Sequence, residues 1–119
     1  MKVQNYRQVV GKEAVPGVIL RIVAGPDEGA PNFVMRVFEI QPQGFTPYHS
    51  HAWEHEVFVL FGSGVVKRAQ AETQLSEGDV VLVAPNEQHS FANTGEDLFR
   101  FICVIPLVDG KLPSMPAAG

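Results

Sequence analysis

Apolar residues in this chain fall into short runs that are rich in Val, Ile and Phe and are separated by turn-forming residues. Gly, Pro, Asn and Asp recur in most of the gaps, as at 25–29 and 76–79. The segment 67–75 has the Ala, Gln and Glu content of a helix, but it is short and its apolar spacing is poor, so we expect a hairpin region there. Evenly spaced strands with such breakers predict an all-β sandwich or barrel. The predicted strands are 18–23, 33–40, 55–61, 64–68, 79–84, 89–94 and 98–105.

The last predicted strand is apolar on both faces. Successive side chains of a strand point to opposite sides. The even positions of 98–105 include Arg100, so we expect the odd positions, among them Phe101 and Cys103, to face the interior. The remaining apolar residues of the even face then need cover from a second layer or a partner subunit. This pattern favours a homodimer.

The overall composition places limits on the function. The chain has 119 residues, one Cys and a net charge of −4. These values predict a single domain over 1–119, with its core at about 18–108 and a loosely ordered tail at 113–119. They exclude an internal disulfide framework and argue against nucleic-acid and membrane partners. No apolar signal segment is visible, so we expect a cytoplasmic protein.

All four histidines of the chain lie between positions 49 and 89. His49 and His51 stand at i and i+2, on one face of an extended segment, and His55 opens a predicted strand. His89 opens another. Imidazoles clustered in this way suit a transition metal, and a set without thiolates is unlike the usual closed structural zinc site. The alternative is that these are turn and edge-strand histidines that bind nothing.

Two segments of the chain resemble the two motifs of the cupin superfamily. Residues 44–62 contain a Gly, a His-x-His pair, a further ligand position and a closing Gly, and residues 78–93 run from Gly through Pro to His and Asn. Gly44 lies one residue closer to His49 than the motif has it, and Glu87 stands near the position of a motif Gly. The resemblance implies a jelly-roll barrel, that is, a double-stranded β-helix.

The cupin resemblance also implies one divalent transition metal per chain. Its usual Glu ligand has two candidates here, His55 and Glu56. The spacing from His51 and from Gly62, together with strand alternation, favours His55, with Glu56 as the alternative ligand. The expected ligands are therefore His49, His51, His55 and His89, as in small single-domain cupins with four-histidine sites. The metal expected first is manganese or iron, with nickel, cobalt, copper or zinc as alternatives.

Three further residues are candidates for the pocket around the metal. Arg36 lies on an otherwise apolar face of the strand 33–40, where it either anchors an anionic substrate group or makes a structural ion pair, for example with Glu39 or Glu54. Phe101 and Cys103 share an inward face, either as pocket residues or as ordinary packing.

The functions implied by this resemblance belong to three classes. The first is a small metalloenzyme of the dioxygenase or oxidoreductase type, acting on a carbonyl, enol or carboxylate compound. A metal-dependent isomerase or decarboxylase is an alternative. The third class is a non-enzymatic cupin. Such a protein binds or senses a small molecule without catalysis, or uses the metal only to stabilise its fold.

Overall fold

The computed structural model describes residues 1–113, and β-strands make up most of its regular structure. Two short 3-10 helices, Tyr6–Gln8 and Pro26–Glu28, lie near the N-terminus. The strands within the described residues are β1 (Lys12–Val15), β2 (Val18–Ala24), β3 (Phe33–Ile40), β4 (His55–Phe61), β5 (Gly64–Lys67), β6 (Glu72–Leu75), β7 (Val80–Val83), β8 (Ser90–Ala92) and β9 (Phe99–Pro106).

The strands form two sheets in which every described pairing is antiparallel. One has six strands in the order β1-β2-β3-β9-β4-β7, and the other has three in the order β6-β5-β8. The inward faces of both contribute to one apolar core that includes Val57, Phe91, Phe101 and Ile105. This arrangement confirms the predicted all-β jelly-roll class.

Each of the seven predicted strands is present, with shifts of one or two residues at some ends. The segment 67–75 is the predicted hairpin region, since β6 pairs antiparallel with β5 there. β1 was not predicted because Lys12–Val15 is short and lacks an apolar run; it is held by pairing with β2. Pro113 is the only residue of the expected loose tail that the structure describes, and the rest of that tail lies outside the described residues.

The inward and outward faces of β9 follow the predicted alternation. Phe99, Phe101, Cys103 and Ile105 are buried, whereas the even positions are only partly buried. β9 lies between β3 and β4, so that Cys103 pairs with Arg36 on one side and with Val57 on the other. This register places residues of three strands side by side on the inner face of the large sheet.

The barrel is open between two edge strands. β7 is the last strand of the six-stranded sheet and β6 the last of the three-stranded sheet. A groove of about 290 Å³ lies where these two strands face each other. Residues 1–113 contain no helix of the length and apolar character that a bilayer crossing needs.

Candidate metal centre

His49 and His89 are held opposite each other by the backbone. The two residues form an isolated antiparallel bridge, with the N–H of each donating to the carbonyl of the other at 3.1 and 3.0 Å. The backbone N–H of Asn86 donates to the carbonyl oxygen of His51 at 2.7 Å. The His-x-His segment and the segment before β8 are therefore joined at the point where their imidazoles meet.

Backbone carbonyls orient three of the four imidazole rings. The Nδ1 atoms of His49, His51 and His89 lie 2.6 Å from Pro47 O, 3.0 Å from Trp53 O and 2.8 Å from Glu87 O, respectively. A carbonyl oxygen only accepts hydrogen bonds, so each Nδ1 must carry the ring proton. In a neutral imidazole the lone pair is then on Nε2, which makes Nε2 the available ligand atom.

These three histidines converge on one position. A ring nitrogen from each of His49, His51 and His89 lies within 4.8 Å of the others. Nε2 of His49 is buried and has no hydrogen-bond partner within the described residues. A buried acceptor without a donor is costly in a folded protein. A cation bound among the three rings would satisfy it, so these residues fit a divalent metal.

His55 lies beside this group of three. It begins β4 with its side chain inward, and its Nε2 atom is 2.7 Å from Nε2 of His51. Its ring centroid is 4.9 Å from that of His89. Glu56, the alternative ligand, is exposed on the opposite face of the strand, where it pairs with Leu82 of β7.

Arg36 and Cys103 lie behind His55, in the interior of the barrel. Both are at most 2% exposed. The Sγ atom of Cys103 is 2.9 Å from His55 Nδ1, and Arg36 Nη2 donates to Sγ at 3.0 Å and lies 3.3 Å from the same Nδ1. Glu39, one of the ion-pair partners considered for Arg36, makes ion pairs with Arg21 and Arg100.

Burial favours the neutral form of His51, His55 and His89. It lowers the pKa of His55 to about 2, with the nearby Arg36 charge acting in the same direction. Burial also lowers the pKa values of His51 and His89, although the carbonyls of Trp53 and Glu87 oppose it. The pKa of the Cys103 thiol is raised by burial, against the opposing effect of Arg36. Neutral imidazoles at neutral pH are the form that binds metals.

Aromatic rings close the inner side of the site. Phe101 stacks on Phe38 with ring centroids 5.2 Å apart and packs against Phe91 at 4.9 Å. The space enclosed by these rings, three of the histidines and Cys103 has a volume of only about 10 Å³. That is about the volume a single water-sized molecule requires. Phe101 therefore lines this small space beside the histidines.

The groove between β6 and β7 reaches the histidine cluster at His89. Its wall includes His89, with Val66, Leu75 and Val81 as apolar lining and Arg68 at the rim. Sequence patterns indicated His89 but not Val66, Arg68, Leu75 or Val81. Which strands remain unpaired at the edges depends on the topology, so no local pattern could have identified the groove.

A further side chain supports His51. The ring of Trp53 stacks on that of His51 with centroids 4.2 Å apart and planes within 5°. The same residue provides the carbonyl that fixes the His51 tautomer. One residue therefore holds this imidazole from its flat face and from its Nδ1 edge.

A β-barrel with a cluster of inward-facing histidines defines a metal-binding jelly-roll protein. Residues 36–105 match the cupin-domain family, and the chain belongs to that family. Among curated relatives, an oxalate-binding protein of Thermotoga maritima is 31% identical over 71 residues, which is 59% of this chain and 59% of that protein. The chain thus matches less than two thirds of this relative's length.

Solved structures give the same fold. The polyketide cyclase RemF from Streptomyces resistomycificus superposes with a TM-score of 0.84 at 28% identity, covering 89% of this chain and 79% of the cyclase. A predicted oxalate decarboxylase from Thermotoga maritima has a TM-score of 0.79 at 20% identity, covering 90% of this chain and all (100%) of the other. The second similarity is evidence for the fold alone.

Proposed function

We propose that this chain is a metal-dependent enzyme that acts on a small oxygen-rich compound, such as a diketone, an enol or a carboxylate. The observation that carries the proposal is the common orientation of the imidazoles. Three of them have Nδ1 bound to a backbone carbonyl, so that their Nε2 lone pairs meet in the barrel. Three imidazole lone pairs directed at one point form a ligand set that suits a transition-metal cation.

In this proposal His55 is the fourth ligand, and the chain holds one divalent transition metal. Its Nε2 atom approaches His51 Nε2 to 2.7 Å from the interior side. Glu56 is the less favoured ligand because its side chain is exposed on the opposite face of β4. Imidazole suits manganese, iron, cobalt, nickel, copper and zinc, and we keep manganese or iron as the first expectation.

The neutral ligand set determines the chemistry of the site. A divalent metal held by four neutral imidazoles keeps its full charge and would polarise an oxygen ligand of the substrate as a Lewis acid. The apolar wall of the groove, with Val66 and Val81, would hold the body of the substrate beside His89. A volume of about 290 Å³ suits a small molecule.

The names of two relatives favour acid–base or Lewis-acid chemistry on such a compound. One is a polyketide cyclase, and another is named for binding oxalate. Both names refer to compounds with several carbonyl or carboxylate oxygens. We therefore favour cyclisation, isomerisation or decarboxylation of such a compound.

A dioxygenase is the second candidate, and one observation favours it. The space of about 10 Å³ beside His49, His55 and His89 is lined by three Phe rings. These rings give the space an apolar inner wall, which favours O2 over a polar ligand there. Phe38, Phe91 and Phe101 would then keep water out of this inner position, while the organic substrate occupies the groove.

We also propose that the functional unit is a homodimer of single cupin domains. Apolar side chains are exposed on the outer face of the large sheet, among them Met35, Phe58 and Leu82. Large exposed apolar patches mark interaction surfaces. A second copy of this chain would cover this face.

Metal analysis of protein purified without chelators tests the metal centre. We expect about one equivalent of a transition metal per chain in the wild type. His49→Ala and His89→Ala should each lose this metal. The control is Phe33→Ala, which changes an exposed residue outside the site and should keep the metal. Absence of any transition metal from folded wild-type protein would refute the proposal.

Turnover then separates the two reaction classes. The metal-loaded protein is incubated with β-diketones and with oxalate, with and without air. Product formation without O2 supports the Lewis-acid reaction, and O2 consumption supports the dioxygenase. If these compounds bind but are not converted under either condition, the chain is a binding protein for them.

A further inference from the structure

The environment of His55 Nδ1 differs from that of the other three histidines. Their Nδ1 atoms contact carbonyl oxygens, which fixes the tautomer. His55 Nδ1 instead contacts Cys103 Sγ at 2.9 Å and Arg36 Nη2 at 3.3 Å. A guanidinium only donates hydrogen bonds, whereas a thiol both donates and accepts. The tautomer of His55 is therefore open to change.

The contact between His51 and His55 identifies the tautomer that suits the protein without metal. His51 Nδ1 donates to the Trp53 carbonyl, so His51 Nε2 is an acceptor. The 2.7 Å contact between the two Nε2 atoms is then a hydrogen bond only if His55 carries its proton on Nε2. In this state His55 Nδ1 is an acceptor, which matches the donors Arg36 and the Cys103 thiol.

Metal binding at His55 Nε2 requires the other tautomer. The lone pair must then be on Nε2 and the proton on Nδ1, so Nδ1 needs an acceptor. Arg36 offers no acceptor atom, but the Cys103 Sγ atom is an acceptor and lies 2.9 Å from His55 Nδ1. The Arg36 guanidinium, which donates to Sγ at 3.0 Å, holds the sulfur in place.

We propose that Cys103 is a positioning residue for His55, because it alone among the described neighbours of Nδ1 serves both tautomers: it donates to Nδ1 without metal and accepts from it with metal. On metal binding the ring loses its Nε2 proton to water and takes up one from water at Nδ1. His55 stays neutral throughout, and the thiol keeps its proton. This inference rests on the proposed metal centre.

The first test measures the tautomers directly. Long-range proton–nitrogen NMR correlations distinguish Nδ1–H from Nε2–H in protein labelled with ¹⁵N-histidine. In the metal-depleted wild type we expect Nε2–H at His55 and Nδ1–H at the other three. After addition of zinc, all four should be Nδ1–H. A His55 that already has Nδ1–H before zinc is added overturns the inference.

The second test uses variants at Cys103. Cys103→Ser keeps a group that donates and accepts, and Cys103→Ala removes it. Loss of a hydrogen-bond partner behind a ligand typically costs about 10–100-fold in metal affinity. We expect such a loss of zinc affinity, measured by chelator competition, in Cys103→Ala, and near wild-type affinity in Cys103→Ser. The matched control is Ile105→Val, which trims the next inward residue of β9.

The outcomes separate this inference from the metal centre itself. If wild type binds zinc and Cys103→Ala binds it equally well, the role of Cys103 is wrong and the metal centre stands. If the wild type binds no zinc, both are wrong. Should Cys103→Ala fail to fold, the NMR measurement on wild type still tests whether His55 changes its tautomer when zinc binds, which the inference requires.

Discussion

Two adjacent side chains at the start of β4 face opposite sides of the large sheet. His55 is 3% exposed and lies beside the cluster of three histidines, whereas Glu56 is exposed. The motif spacing allowed either as a ligand, and strand alternation favoured His55. The structure gives the two residues different surroundings, which makes the choice testable.

We expect His55→Gln to lower metal affinity by more than about tenfold, since a ligand contributes at least as much as the groups behind it. Glu56→Gln should change the affinity by no more than about twofold, because its side chain is on the outer face. Both variants keep the side-chain size close to the original. Chelator competition measures the affinities, and a reversed order of the two effects would make Glu56 the ligand.

Residue types and spacing predicted which side chains lie close together, but not what orients them. The four histidines and the inward faces of Arg36, Phe101 and Cys103 follow from motif and alternation. The carbonyls that fix the ring tautomers belong to the backbone. Their positions depend on loop conformation, so no residue type encodes them.

At the scale of the elements, an ion-pair group joins three neighbouring strands on the outer face. Glu39 of β3 accepts hydrogen bonds from Arg21 of β2 and Arg100 of β9. Burial alone would raise the pKa of Glu39, but the hydrogen bonds and charges of the two arginines outweigh it and lower the pKa. The carboxylate is thus stabilised in the folded state.

Glu39→Gln should therefore destabilise the protein in a pH-dependent way. A carboxyl whose pKa is lower in the folded state stabilises the fold above its unfolded pKa, and this contribution disappears as the pH falls through the folded pKa. We expect a loss of about 1–2 kcal/mol at pH 7, because two charge-assisted hydrogen bonds weaken. The difference from wild type should shrink below the ordinary glutamate pKa of 4.5.

Urea unfolding of metal-depleted protein at several pH values measures this difference. Glu72→Gln is the matched control, since Glu72 makes an exposed pair with Lys67 at 3.9 Å. Exposed pairs contribute little, so this control should stay near wild type at every pH. A Glu39→Gln effect that is equally large in acid would mean that the carboxylate charge is not its cause.

The strands themselves were predictable, but their order in the sheets was not. Alternation of apolar positions depends on neighbours along the chain, and it identified β2, β3, β4 and β9 closely. β9 lies between β3 and β4, although more than 30 residues separate it from either in sequence. Only this pairing brings Arg36 opposite Cys103 and makes the group behind His55.

At the scale of the molecule, the outer face of the large sheet exposes several apolar side chains of β3, β4 and β7. Phe58 is 46% exposed on β4, and its β7 partner Val80 is 70% exposed. Ile102, the β9 partner of Phe58, is partly buried on the same face. Water contact with these side chains is unfavourable, and at about 25 cal/mol per Å² their burial would favour association.

A charge at the centre of this face should therefore separate the proposed dimer. We expect wild type to sediment at twice the 13.0 kDa chain mass, and Phe58→Lys to sediment as a monomer. A buried, unpaired ammonium in the interface would cost more than the lost apolar contact. Val108→Lys is the matched control. Val108 is 48% exposed and lies outside the nine strands, so its substitution should leave the dimer intact.

Since the histidines face the barrel interior, monomeric Phe58→Lys should still bind one metal per chain. A monomeric wild type would refute the dimer without affecting the metal centre. Loss of both dimer and metal in Phe58→Lys alone would instead show that the two sheet faces are coupled through β4.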